Sequence, residues 1–284
     1  MILCLETATP TCSVAINEGK KTLALRECKG QNAHSEKITI FIQEVLEEAG
    51  VGVEQLDAVA VSKGPGSYTG LRIGVSTAKG VCYAADKPLL AIDTLHAMAY
   101  GMAVRLADSL QPTDLLIPMI DARRMEVYRA VFDTQRNPVA GTEALVVDEN
   151  SFDELQKQHR LWLFGDGAAK LNSLFTHQSQ IHIVDDLLPS AAYMAELADQ
   201  ALNARDFVDD PIRRPTQYIP IDPRRRCRHE VRRRHAAKGQ GVVVGPAVAH
   251  DAHGADVRQH GEILVHGVFQ SRLRDLVPEY IVRL

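Results

Sequence analysis

The chain opens on "MILCLE", a short apolar run fit for a buried central strand. "CSVAINEG" and "TLALREC" follow, parted by the turn signal Asn17-Glu18-Gly19, and together predict a three-stranded meander. In the next stretch Ile38, Phe41, Ile42, Val45, Leu46 and Ala49 recur at helical spacing. Ser35 is the expected N-cap, Glu36 lies in the first turn, and Gly50 stands just past the end. "LDAVAVSKGPG" predicts a buried strand entering a glycine turn, and "TGLRIGVSTAKGVCYAADKP" a helix. Two rows of small residues run along that helix: Gly70, Gly74, Ala78 and Cys82 in one, Ser76, Gly80 and Ala84 in the other. A glycine inside a helix costs about 0.5–1 kcal/mol against alanine, so close packing on two sides is expected in return.

"PLLAID" predicts another strand and "TLHAMAYGMAVRLAD" another helix, with Asp93 and Thr94 at its start. "DLLIPMIDARRMEVYRAVFD" reads as two strands joined at Asp121-Ala122-Arg123-Arg124. Short strands are expected at "TEALVV", "LWLFGDG" and "IHIV", and helices at "NSFDELQKQ", "GAAKLNSLF" and "SAAYMAELADQALNA". Strands followed by alternating helices and strands, met twice, predict a duplicated α/β architecture.

Composition changes this picture only at the C-terminal end. Through Val208 the chain has 18 Lys and Arg against 27 Asp and Glu, a net of −9; residues 209–284 have 14 against 9, a net of +5. An acidic body excludes a protein that grips nucleic acid by itself, which needs a basic face. The last 76 residues use 13 Arg and a single Lys, where the body has nine of each, and their apolar periodicity fades. They read either as a basic appendage that touches RNA or as a frameshifted or read-through tail. The switch to Arg alone favours the second reading and a disordered segment. No run of eighteen apolar residues predicts a membrane span. The start reads as a strand and not a signal peptide, and five cysteines without paired spacing suggest a reducing compartment, so a cytoplasmic location is expected.

Three constellations could carry chemistry. Gly64, Gly66, Ser67 and Thr69 form a glycine- and hydroxyl-rich turn between strand and helix, an arrangement that can hold an anion. It lacks the lysine of a Walker A loop, and the third glycine of a dinucleotide fingerprint falls on Thr69. The alternative is a turn whose hydroxyls cap the helix. Thr7 and Thr9 follow the first strand, where actin-like ATPases hold phosphates, but Glu6 and Ala8 stand where Asp and Gly would be needed. His34 is followed one turn later by Ile38, so a paired-histidine metal ligand is missing. His250 and His253 lie three apart in the atypical tail. Asp121, Arg123, Arg124 and Glu126 crowd one turn, and Cys4, Cys12 and Cys82 read as small core residues.

"LETATPTCSVAI", "HSEKI", "DAVAVSKGPGSYTGLRIGVSTAKGV", "DTLHAMA" and "IDARRMEVYRAVF", in this order, resemble the TsaB (YeaZ) family over about residues 1–205. The resemblance implies an actin-like fold of two ribonuclease-H-like subdomains, 1–98 and 99–208, with the Arg-rich segment 209–284 outside it. It implies a role in making N6-threonylcarbamoyladenosine beside the anticodon of tRNAs that read A-starting codons. In that pathway a TsaD-like protein, which carries a His-x-x-x-His metal site, is the transferase; a TsaB-like chain pairs with it and a TsaE-like ATPase docks on the pair. The expectation is a non-catalytic subunit with no catalytic residues, metal or cofactor of its own. ATP and a metal ion would belong to the partner complex, tRNA would be met through the complex, and self-association would be at most a weak homodimer. The expected interface is Ile38, Phe41, Ile42, Val45, Val75, Ala78, Lys79 and Cys82. The loops Thr7, Thr9, Gly64, Gly66, Ser67 and Thr69 would be vestigial phosphate sites. An actin-like metallopeptidase or ATP-dependent enzyme is the alternative.

Overall fold

The structure, a computed structural model, describes residues 1–30, 33–184 and 186–208. The Arg-rich tail, with His250 and His253, lies outside the described residues. The first sheet holds β1 (Ile2–Glu6), β2 (Thr11–Glu18), β3 (Lys21–Lys29), β4 (Ala58–Ser62) and β5 (Leu89–Ile92) in the order β3-β2-β1-β4-β5. The first three strands pair antiparallel, while β4 and β5 add parallel to β1. β1 and β4 are buried along their whole length, which is why their sequences are continuous apolar runs.

A second sheet repeats the plan. It contains β6 (Leu115–Asp121), β7 (Glu126–Phe132), β8 (Pro138–Val146), β9 (Leu161–Phe164) and β10 (Ile181–Val184), in the order β8-β7-β6-β9-β10, with β9 and β10 parallel to β6. Two copies of one mixed 3-2-1-4-5 sheet are the two ribonuclease-H-like units of an actin-like α/β fold.

Helices α1 (Ala33–Ala49) and α2 (Tyr68–Ala85) cover one face of the first sheet. The stripe Ile38, Phe41, Ile42, Val45 and Leu46 packs on Leu3, Leu5, Val14 and Ile16. α1 begins two residues before Ser35, because Ala33 and His34 are also buried and extend the helix inward. Gly50 ends it with φ +69°, the left-handed conformation expected of a residue beyond a helix C-terminus.

The two units exchange a helix. α3 (Thr94–Arg105) follows β5 of the first sheet, yet Leu95, Met98 and Met102 pack on β6, β7 and Phe164 of the second. The expected division at 98/99 falls inside this helix. α6 (Ala195–Ala204) follows β10, yet Ala198 and Leu202 pack on Ile2, Cys4 and Leu90 of the first sheet. Gly101 is the contact point of this exchange: a Cβ there would lie 2.6 Å from the Tyr193 ring.

Three expected helices are shorter than their patterns. Only α4 (Asp153–Gln156) forms in "NSFDELQKQ", and "GAAKLNSLF" splits into a 3-10 turn at Ala169–Leu171 and α5 (Asn172–Phe175). Each buries one or two large side chains, Phe152, Leu171 and Phe175, and a single turn does that. "SAAYMAELADQALNA" starts as a 3-10 turn at Ala191–Met194, where Asn17 Nδ2 donates to the Ala191 carbonyl (3.1 Å) and Ser13 Oγ accepts from its N–H (2.8 Å).

Candidate functional site: the turns facing the start of helix α2

β1 delivers Glu6, Thr7 and Ala8 to the start of α2, where β4 delivers Gly64, Pro65 and Gly66. Ser67 is the N-cap, with its Oγ accepting from the Gly70 N–H at 3.3 Å. The Ser67 N–H itself donates to the Ala8 carbonyl at 2.6 Å. Ala8 is buried, and a Cβ on Gly66 would stand 2.7 Å from the Ala8 Cβ and overlap its carbonyl oxygen. One turn further, Gly70 leaves room only for the Thr7 carbonyl, and Gly74 only for the Thr7 side chain. This is the reason for the first small row: Gly70, Gly74, Ala78 and Cys82 all face inward and let the β1–β2 turn and the sheet lie against the helix.

A helix N-terminus beside a hydroxyl-rich turn would ordinarily suit a phosphate. Here the space is taken by Thr7 and Ala8, so the residues present do not fit a nucleotide phosphate between this turn and α2. Thr7 and Thr9 are buried, whereas Ser67 and Thr69 lie at the surface.

His34 closes the same turn from the other side. Its Nε2–H donates to the Thr9 carbonyl at 2.8 Å, a bond to the β1–β2 turn and not to its own backbone. Burial pushes its pKa down, so the ring is neutral at pH 7, and Nδ1 meets no hydrogen-bond partner. Ile38, one turn on, is in the core. Among the described residues no three His, Cys, Asp or Glu side chains are grouped to hold a metal ion.

Glu6 is fully buried. Its Oε1 accepts from the Ala8 N–H at 2.6 Å, and Ser62 and the Thr7 N–H also bear on the carboxylate, while Oε2 meets no well-formed hydrogen bond among the described residues. Burial, outweighing those contacts, pushes the Glu6 carboxyl up to about 7. Asp93, at the end of the neighbouring strand, caps α3 through the His96 N–H at 3.1 Å, and burial raises its pKa too. His96 is stacked on Phe132 and its Nε2–H donates to the Arg136 carbonyl at 3.0 Å.

Of the eight residues expected at an interface, Ile38, Phe41, Ile42, Val45, Val75, Ala78 and Cys82 lie in the chain's own core. Their spacing reported burial, and the sheet supplies it. Only Lys79 reaches the surface, half-buried. The second small row does face outward: Ser76 and Ala84 are exposed and Gly80 half-buried, with Tyr83 beside them 52 % exposed. At the N-terminal end of the same helix Tyr68 is 58 % exposed with the Arg72 guanidinium over its ring. Cys4, Cys12 and Cys82 are buried core residues, as expected.

The counterpart of this site in the second unit was missed from sequence. Gly165-Asp166-Gly167 follows β9 as Gly64-Pro65-Gly66 follows β4. A Cβ on Gly167 would lie 2.9 Å from the Ile120 carbonyl carbon. Asp166 Oδ1 accepts from the Asp121 N–H at 3.1 Å, and Lys170 pairs with Asp121. The repeated G-x-G after a strand was the available signal.

A family model described as "TsaD: tRNA N6-adenosine threonylcarbamoyltransferase" matches residues 29–204. A Haemophilus influenzae protein named "tRNA threonylcarbamoyladenosine biosynthesis protein TsaB" is 35 % identical over 208 residues, 69 % of this chain and 84 % of the relative. The Escherichia coli protein of that name is 30 % identical, covering 68 % and 86 %. A Novosphingobium aromaticivorans tRNA N6-adenosine threonylcarbamoyltransferase shares 42 % identity, but over 86 residues, 24 % of its length. Among solved structures, a Pseudomonas aeruginosa protein described as similar to peptidase YeaZ superposes with a TM-score of 0.60 at 25 % identity, over 76 % of this chain and 97 % of that one. With its duplicated sheets and its relatives in agreement, the chain belongs to the TsaB (YeaZ) family.

Proposed function

We propose that this chain is a non-catalytic subunit of N6-threonylcarbamoyladenosine synthesis on tRNA, which heterodimerises with and activates a TsaD-like threonylcarbamoyltransferase, a TsaE-like ATPase docking on the pair. Membership of the TsaB family supports the pathway. The observation that carries the docking role is the outward small row of α2, Ser76, Gly80 and Ala84 beside exposed Tyr83. Small residues let a second helix approach closely, and a flanking tyrosine supplies rigid contact area. A TsaD-like partner suits it because the chain itself matches the TsaD family model, so the partner would present a related helix across a near two-fold axis.

The chemistry of the α2 start supports a supporting role. His34 holds a backbone carbonyl, and Thr7 with Ala8 fills the phosphate position. The acidic body implies that tRNA is met through the complex.

The test is co-purification of Ser76→Arg and Gly80→Arg with a TsaD-like partner. Ser76 is exposed and Gly80 half-buried on the outward row, so circular dichroism should show the fold retained while binding falls at least 10-fold. Undiminished binding by both would remove α2 from the interface. Ala78→Trp is not a test of docking, because Ala78 is fully buried and a tryptophan there would unfold the chain. Light scattering of the chain alone separates a homodimer from this reading.

A further inference from the structure

Strands β2 and β3 carry a pair of cysteines whose placement the proposed function does not use. Cys12 and Cys28 are direct partners in the antiparallel register, which runs unbroken from Thr11/Lys29 to Ile16/Ala24. The Gly30 N–H donates to the Pro10 carbonyl at 3.4 Å, which puts Pro10 and Gly30, and two residues further on Cys12 and Cys28, in the hydrogen-bonded phase of the ladder. Cα atoms of such pairs are about 5.5 Å apart, inside the Cα range of a disulfide; side chains in this phase stand farther apart than in the non-hydrogen-bonded phase, so closure requires the two Cβ atoms to draw together to about 3.5–4.5 Å. Directly opposite residues point to the same face. Cys12 is buried in the core beneath α1, and Cys28 packs at the margin of that same core while staying partly exposed. Burial first, and then the neighbouring Cys28 and Glu6, push the Cys12 thiol up to about 12, so the two sulfurs sense each other.

We propose that Cys12 and Cys28 are a thiol–disulfide site: a cross-strand pair that closes reversibly on reaction with a small disulfide such as oxidised glutathione. Cys28, the accessible member, attacks one sulfur of the oxidant as its thiolate. The oxidant's S–S bond breaks and one glutathione thiolate leaves. Cys12 then loses its proton and attacks the Cys28 sulfur, forming the protein S–S bond and expelling the second glutathione. Two electrons pass from the protein to the oxidant, and the two protons end on the two glutathione thiols. Because a buried thiol of raised pKa is a slow nucleophile, the second step limits the rate and quickens with pH. Among the described residues the other buried cysteines, Cys4 and Cys82, have no cysteine opposite them in a strand pair. Cys4 lies on the opposite face of the sheet, its sulfur accepting from Asn17 Nδ2 at 3.2 Å, and Cys82 sits on α2.

The experiment equilibrates the purified full chain, and its Cys227→Ser variant, with mixtures of reduced and oxidised glutathione. Free thiols are then alkylated after unfolding, and the digest is mapped by mass spectrometry without reduction. The expected result in both proteins is one linked species joining the Cys12 and Cys28 peptides and lacking two hydrogens. Cys4 and Cys82 should be alkylated in full. The link should vanish with excess dithiothreitol and in Cys28→Ser. A stable glutathione adduct on Cys28 without the link would overturn the proposal. So would a wild-type bridge from either residue to Cys227, or four alkylated body cysteines at every ratio.

Discussion

The two sheets share one strand order but close the mouth between their first and second strands in opposite ways. In the first unit the β1–β2 turn is buried, and its Thr7 and Ala8 press on the small row of an 18-residue helix. In the second, the β6–β7 turn carries exposed Arg123 and Arg124 with φ of +74° and +51°, and it is held by the Lys170–Asp121 ion pair and by the Asp121 N–H donating to Asp166 Oδ1. The helices that follow β9 are two single turns. Steric closure needs glycines and a long helix, whereas ionic closure tolerates short helices and open solvent. The first unit therefore carries a long helix with an outward small row, and α3 and α6 are exchanged between the two units.

The sharpest way to break this contrast is to add a methyl group at one close-packed glycine of each unit. Gly70→Ala pushes a Cβ into the Thr7 backbone and to 3.3 Å from the His34 ring, and should cost more than about 3 kcal/mol in urea unfolding. Gly167→Ala also meets backbone, but at 2.9 Å and near an exposed turn, and should cost about 1–2 kcal/mol. Equal losses would remove the distinction.

The next effect is electrostatic. Glu6 has its pKa raised from 4.5 to about 7, so in that window the folded chain binds more protons there than the unfolded one. Stability at this position is present below pH 4.5, falls as pH rises, and is flat above about pH 7, a loss of roughly 3 kcal/mol. Glu6→Gln should lessen that fall in denaturant midpoints measured from pH 5 to 8, the raised pKa values of Asp93 and Asp166 contributing with the same sign. An unchanged slope would place the buried charge elsewhere, Asp166 in the second unit having a shift of the same sign. The smallest effect is a gain. Gly141, in edge strand β8, has open space around its Cβ position, and Gly141→Ala should stabilise by about 0.5 kcal/mol without touching the first unit.

Much of the fold could be read because periodicity reports burial. The runs of β1 and β4, the stripe of α1 and the paired small rows of α2 all correspond to real elements. What periodicity does not report is the occupant of the far side. Ile38, Phe41 and Val75 looked available to a partner because the pattern of a helix buried by its own sheet is the same as that of a helix buried by another chain. The second small row is the one that faces solvent, and no apolar stripe accompanies Ser76, Gly80 and Ala84. The exchange of α3 and α6 was illegible for a different reason: Leu95, Met98 and Ala198 show that a face is covered, but not by which sheet. His34 was legible as unpaired from Ile38 alone, while its bond to Thr9 needed the third dimension.

The most direct measurement of the central claim is a reconstituted tRNA threonylcarbamoylation assay, with a TsaD-like enzyme, a TsaE-like ATPase and the threonylcarbamoyl-adenylate donor, run with and without this full chain. The account predicts no modified adenosine from this chain alone, modification that depends on adding it to the partner, and at least a 10-fold fall with Gly80→Arg. Modification by this chain unaided, or an equal rate from the partner in its absence, would contradict it.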